Sequence, residues 1–346
     1  MKRVVLQEPG RLVLEDAQDP TPGPRDAVIK VHTALTCGTD LKAWRRGHPK
    51  MPMPTPFGHE FSGEIVATGA DVSGFSVGDA LMAANTGPCG DCFFCNADQE
   101  NFCETLMDEM ILGAYAEYLL VPDRVLRRNA FRKPGELSWD EAALLEPLAS
   151  VCFGLAHVPS RALEAGALVV LIGAGPIAML WLRALKQRGT AYVIVVGRRR
   201  PRLDVALACG ADQVVGEGED VVAAILAASN GRGADLVVEC TGQPQVWEQA
   251  PGYARKGGAV VLFGGCASGT TANFDTGRLH YDGVRIHSPF HFRPRDVAES
   301  FRLLSVPGAD WSMLISGTAT LAEVPMLFER LGETGGMKFA VRPHDL

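Results

Sequence analysis

Cys89, Cys92, Cys95 and Cys103 follow the spacing C-x2-C-x2-C-x7-C. Four thiolates delivered by one short loop form a closed tetrahedral sulfur site, which suits zinc. Gly87, Pro88, Gly90 and Asp91 are turn formers that let the chain wrap an ion. Disulfides are a poor alternative, because nine cysteines is an odd count and cysteines so close in sequence pair badly. An iron–sulfur cluster of the bacterial ferredoxin type expects a shorter last spacer and a following proline, whereas Cys103 is followed by Glu104. A zinc with four protein ligands has no open position, so it would hold a loop and perform no reaction. The reactive groups must lie elsewhere.

Gly173-Ala174-Gly175-Pro176-Ile177-Ala178 matches G-x-G-x-x-G/A, with alanine last. It follows the apolar run Leu168–Ile172 and opens a helical stretch from Pro176 to Lys186. That context marks a dinucleotide site. Gly173 permits the tight turn, Gly175 lets backbone approach a pyrophosphate, and Ala178 allows close helix–strand packing. The helix start at Pro176 and Ile177 favours the phosphates. The second strand, ending Val195-Val196, is followed by Gly197-Arg198-Arg199-Arg200. An acidic residue there would accept from a ribose 2′-hydroxyl, and none is present. Guanidinium groups pair with a 2′-phosphate, so the sequence predicts NADP(H) over NAD(H), with Arg198 as the leading contact and Arg199 next. The bland alternatives are a turn without ligand and a solvated basic loop.

Three more segments carry ligand-type side chains: Cys37-Gly38-Thr39-Asp40, Gly58-His59-Glu60 and Glu146-Pro147-Leu148. Alone, such a Cys is usually a core residue and such a His a satisfied polar group. Joined to the cysteine loop, Gly113-Ala114-Tyr115-Ala116-Glu117-Tyr118 and the glycine turn, they give a chain that resembles the zinc-dependent medium-chain alcohol and polyol dehydrogenases over its whole length. The Glu-Pro-Leu segment is similar to the sorbitol (iditol) branch.

The resemblance implies two zinc ions per chain: a structural one on Cys89, Cys92, Cys95 and Cys103, and a catalytic one on Cys37, His59 and Glu146. Glu60 would be an acid beside the metal, Asp40 would orient a ligand, and Cys152 is a substitute third ligand. Zinc would act as a Lewis acid on an alcohol oxygen. Thr39 would take the hydroxyl proton, and hydride would pass to the nicotinamide. Many relatives carry histidine at the relay end, where this chain has Lys42, with His48 as a nearby substitute. A threonine-type amino-alcohol dehydrogenase shares Cys-Gly-Thr-Asp and is the alternative enzyme. A non-catalytic NADPH-binding relative is the alternative outside enzymes.

These groups need two kinds of scaffold. Residues 1–151 show short alternating strands, such as Val28–Thr33 and 63–69, broken by Pro20, Pro22 and Pro24. From about 152 to 288, buried-strand runs at Leu168–Ile172, Tyr192–Val196, Gln213–Val215, Leu236–Glu239, Ala259–Phe263 and Val284–His287 alternate with helical lengths. That alternation predicts a doubly wound parallel sheet. The expected class is therefore α/β. A GroES-like β-rich catalytic domain would span 1–151 and 289–346, with the cysteine lobe at about 87–105, and a Rossmann domain would span 152–288. Trp44, Arg45, Arg46 and His48, and Phe290–Arg293, are candidate rims of a substrate cleft.

Net charge is −7, with no long basic run to favour nucleic acid. No signal peptide is read at Met1–Pro9 and no membrane span is evident, so cytoplasm is the default. The expected partner is a small alcohol or polyol, and the resemblance implies a homodimer or homotetramer.

Overall fold

The alternation at Val28–Thr33 belongs to the strand Ala27–Leu35, the centre of a seven-stranded sheet. The computed structural model describes residues 1–48, 51–189, 192–332 and 335–345. Along that sheet run Ile315–Ala319, Lys338–Val341, Ala27–Leu35, Glu60–Thr68, Ala80–Ala83 and Ala130–Arg132, and Tyr118–Val121 also pairs with Ala27–Leu35. All pairings are antiparallel except Ile315–Ala319 with Lys338–Val341. The antiparallel layer buries one face on Phe57, Phe61, Ile65, Tyr115 and Phe328. Phe57, Tyr115 and Phe328 pack edge-on or tilted at centroid distances of 5.3–6.0 Å. This unit comprises Met1–Ala149 and Phe292–Leu346, so its sheet is completed by chain that returns after a long excursion.

The excursion, Ser150–His291, is the second unit. Its parallel sheet runs in the order Gln213–Val215, Tyr192–Val196, Leu168–Ile172, Ala234–Glu239, Ala254–Leu262, Arg285–His287. Every residue of Leu168–Ile172 is buried, as a strand covered on both faces must be. The helix Pro176–Gln187 buries Ala178, Met179, Leu180, Trp181, Leu182, Ala184 and Leu185. Trp181 is fully buried and meets Phe263 edge-on at 5.8 Å. The α/β class and the doubly wound sheet are as expected from sequence. Sequence periodicity alone did not announce the helix Gly38–Arg46 or the strand Lys338–Val341.

Gly63 sits where Glu60–Thr68 crosses Ala27–Leu35, beside a register shift between Val31 and Thr33. A Cβ there would lie 2.2 Å from the carbonyl oxygen of Lys30. Backbone cannot swing aside as a side chain can, so Gly63→Ala should lower stability by about 3 kcal/mol, the upper end for overpacking. Gly135, with nothing within 4 Å, is the matched control, and Gly135→Ala should change stability by less than about 0.5 kcal/mol. Urea unfolding of the two variants checks this; equal stabilities would refute the close approach.

Candidate metal and cofactor sites

Cys37 closes the strand–helix junction as N-cap of Gly38–Arg46, and its sulfur accepts from the Thr39 amide at 3.4 Å. A helix start favours negative charge on that sulfur. His59 is placed by the entry into Glu60–Thr68. Gly58 precedes it with φ +88°, and a Cβ on Gly58 would lie 2.9 Å from the Tyr115 ring. Glycine is therefore required on two counts, backbone conformation and space.

The side chains of Cys37, His59 and Glu60 offer ligand atoms all within 4.8 Å of one another. Nδ1 of His59 is 2.8 Å from Oδ1 of the buried Asp40. With Nδ1–H donated there, Nε2 is left as the acceptor face, the arrangement of an oriented metal-binding imidazole. Burial pulls the pKa of His59 down, but the Asp40 carboxylate and the Cys37 sulfur outweigh it and hold it well above the usual imidazole value. Burial and the Glu60 carboxylate raise the Cys37 thiol. A divalent cation would relieve both by replacing the proton.

Glu146 lies in the first turn of the helix Leu145–Ala156 and is 8% exposed. Its carboxyl is pushed up to about 7, chiefly by burial, with His59 opposing and Glu60 adding to the rise. Among the described residues its side chain makes no hydrogen bond or salt bridge. Glu60, by contrast, is already matched. Both its oxygens accept from Nζ of Lys338, one at 2.7 Å, and Nζ also donates to the Thr36 carbonyl at 3.1 Å. Lys338 is 2% exposed and Glu60 0%. Of the two acids, Glu60 is the one held in an ion pair, and Glu146 feels His59 and Lys338 only at longer range. Cys152 is buried and belongs to neither ligand group found among the described residues.

Tyr115 adds a further constraint. Its fully buried hydroxyl is 3.1 Å from both Asp40 Oδ2 and the Leu35 carbonyl. One hydroxyl proton must serve two acceptors. Tyr115 and Lys338 both escaped the sequence reading as site residues. The only signal was a lysine inside the apolar strand Lys338–Val341 and a tyrosine inside Gly113–Tyr118.

Helix Gly38–Arg46 presents Thr39 and Lys42 one turn apart, both exposed. Trp44, Arg45 and Arg293 make contacts within this unit. Trp44 packs edge-on to Phe328, and a Cβ on Gly332 would lie 2.1 Å from the Arg45 guanidinium. Arg293 is 7% exposed and held by Asp296 at 2.9 Å, capping the helix Pro294–Leu304.

The sulfurs of Cys89, Cys92, Cys95 and Cys103 also converge within 4.8 Å. The Cys89 amide donates to Cys103 Sγ and the Gly90 amide to Cys95 Sγ, each at 3.3 Å. Backbone amides of Glu104 and Cys95 pull the Cys92 thiol down to about 6, while burial lifts Cys95 to about 12. All nine cysteines are free thiols. The donor set and its N–H···S bonds fit a tetrahedral zinc.

In the second unit, Gly173 takes φ +101° and Gly175 is the N-cap of Pro176–Gln187. A Cβ on Gly197 would lie 2.7 Å from Cβ of Ala174, so a side chain replacing Gly197 would be forced against the glycine turn. Arg198 and Arg199 are exposed, and Arg199 caps the helix Arg200–Ala208. Arg202, which the sequence reading passed over, reaches back to the turn: its Nη1 lies 4.0 Å from the Cβ position of Gly175. Burial and Arg199 depress its pKa.

Residues 23–129 match the family model of the alcohol dehydrogenase GroES-like domain, and residues 176–305 match that of zinc-binding dehydrogenases. The chain is 33% identical to L-threonine 3-dehydrogenase of Bacillus licheniformis over 243 residues, 68% of this chain and 67% of that one. It is 27% identical to sorbitol dehydrogenase of Halalkalibacterium halodurans, covering 97% of each. A zinc-binding dehydrogenase structure from Sinorhizobium meliloti 1021, solved bound to NADP, superposes with TM-score 0.89 at 28% identity over 99% of both chains.

The Glu60–Lys338 pair supports a stability test on metal-free protein. Lys338→Met strands a buried carboxylate and should cost about 3–5 kcal/mol. The stranded Glu60 would carry a folded pKa above its unfolded value, so the native state would bind the extra proton and stability would fall as pH rises. The deficit should therefore be larger at pH 8 than at pH 5. Lys338→Met combined with Glu60→Gln should recover most of it. A pH-independent deficit, or simple additivity in urea unfolding, would count against the pairing.

Proposed function

Because the chain belongs to the zinc-binding dehydrogenase family with an alcohol dehydrogenase GroES-like domain, we propose that it interconverts a secondary alcohol or polyol and the matching ketone using NADP(H). The observation that carries the reading is the cluster of Cys37, His59 and Glu60, with His59 Nδ1 2.8 Å from Asp40 Oδ1. Cys37, His59 and Glu146 would hold the catalytic zinc, and Glu60 stands beside it, neutralised by Lys338. When bound, the metal supplies Lewis acidity to a substrate oxygen and the dinucleotide supplies the hydride acceptor. Thr39, two residues past Cys37, takes the hydroxyl proton. Lys42, a turn further along the same helix, would pass it to solvent. The cysteine lobe holds a second, structural zinc.

Preference for NADP(H) is supported by the three arginines after Gly197 and by the lack of room for an acid there. Arg198 and Arg199 would pair with the 2′-phosphate, while Arg202 guards the turn at Gly175. We further propose a cytoplasmic homodimer or homotetramer, in keeping with the free cysteines; among the described residues no helix is long and apolar enough to cross a membrane. The similarity to threonine dehydrogenases keeps an amino alcohol as the second substrate class.

Metal analysis should find two zinc per chain, one lost with Cys37→Ser together with activity and the other with Cys89→Ser. A panel of polyols, secondary alcohols, sugar phosphates and threonine separates the substrate classes. In the best assay, kcat/KM with NADPH should exceed that with NADH. Arg198→Ala with Arg199→Ala should lower the NADPH value by roughly 10- to 100-fold, as loss of charge-assisted hydrogen bonds implies, and leave the NADH value nearly unchanged. A wild-type preference for NADH would sink the cofactor assignment.

A further inference from the structure

The short helix Asp123–Asn129 lies outside every motif, yet it is clamped to the cysteine lobe. The Ala84 amide donates to the Asn129 carbonyl at 2.9 Å, and Asn129 Nδ2 donates to the Thr86 carbonyl at 2.6 Å. A Cβ on Gly87 would lie 2.5 Å from the Arg124 carbonyl oxygen, so the helix backbone rests against the start of the loop.

Two arginines one turn apart on this helix then reach the lobe. Arg124 Nη1 donates to Thr105 Oγ1 at 2.8 Å, and Thr105 Oγ1 lies 3.9 Å from Cys103 Sγ. With its oxygen taken by the guanidinium, the Thr105 proton is left for the sulfur. Arg128 covers the other side. A Cβ on Gly90 would lie 2.0 Å from Arg128 Nη2 and 2.9 Å from its Cζ, so the guanidinium lies over the residue whose amide donates to Cys95 Sγ. Nε of Arg128 is buried with no hydrogen-bond partner among the described residues. Glu109 offsets part of the Arg124 charge at 3.2 Å. Arg127, between them, turns away to Asp123 at 2.8 Å.

Four thiolates around one divalent cation carry a net charge of about −2, which a partly buried site must balance. We infer that Arg124 and Arg128 form a cationic brace that retains the metal in the four-cysteine lobe, a positioning role outside the ligand set. The inference rests on the structural-zinc reading proposed above. Nearby groups that orient and polarise ligands commonly matter 10- to 100-fold in metal affinity.

The test follows zinc transfer to a chromogenic chelator from full-length protein in a Cys37→Ser background, where the lobe is the remaining site. Arg124→Gln with Arg128→Gln keeps donors and bulk but removes charge, and should release zinc roughly tenfold faster. Arg124→Lys with Arg128→Lys should restore much of the retention, and Arg127→Gln should match the parent. Raising salt should speed release from the parent more than from the glutamine variant, since only the parent has the attraction to screen. If the double variant fails to fold, Arg128→Gln alone and the salt dependence of the parent carry the same test. Release rates within about twofold of the parent, with no difference in salt dependence, would overturn the brace alone. Absence of lobe zinc in the parent would overturn the metal reading and the brace with it.

Discussion

A buried lysine–glutamate pair ties the first half of the unit Met1–Ala149 and Phe292–Leu346 to its strand Lys338–Val341. Lys338 and Glu60 are 278 residues apart in sequence and almost wholly screened from water. Desolvating two such charges is unfavourable unless each finds the other and its remaining hydrogen bonds. Lys338 meets that condition by also donating to the Thr36 carbonyl, next to Cys37, while the Phe339 amide donates to Thr36 Oγ1 at 2.9 Å. The backbone that carries Cys37 is therefore fixed by the returning strand. Asp40, Tyr115 and Gly58 fix His59 in the same way from the other side. The cluster of Cys37, His59 and Glu60 is the meeting point of these restraints.

Much of this was legible in the chain because it depends on residue type at short spacing. The four cysteines, the glycine turn and the Gly-His-Glu triplet each state a local geometry, and the structure brings the cysteines together as a ligand group. Long-range partners left no such trace. Lys338 reads as an odd lysine in an apolar strand, and its meaning exists only opposite Glu60. Tyr115 reads as one aromatic residue of a β-rich segment until its hydroxyl meets Asp40. The cluster nearest Cys37 and His59 contains Glu60, whereas the family resemblance pointed to Glu146. Spacing cannot express their surroundings: Glu60 is ion-paired with Lys338, and burial pushes the Glu146 carboxyl up to about 7.

The dinucleotide turn shows the same division. Gly173 and Gly175 were readable from pattern, and the missing acid at Gly197 suggested a phosphate. The structure adds a steric reason, since Ala174 occupies the space that a side chain at Gly197 would need. Arg202 could not be singled out from a run of four arginines around a proline. Only the fold of Arg200–Ala208 brings it back over Gly175, while Arg200 spends its charge on Asp204 at 2.8 Å. Neighbouring like residues thus acquire different duties from helical geometry alone.

The split architecture also sets a timetable. Ribosomes release the segment bearing Cys37, His59 and Glu60 long before Lys338 exists. At roughly 5–20 residues per second, the intervening 278 residues correspond to a wait of roughly 15–55 s. During that interval Glu60 has no partner and the edge of Ala27–Leu35 that later pairs with Lys338–Val341 is open. The cysteine lobe, whose four cysteines lie within fifteen residues of one another, faces no such delay. The nascent chain can thus close its sulfur site early, whereas the Cys37–His59–Glu60 cluster has to wait for Lys338–Val341.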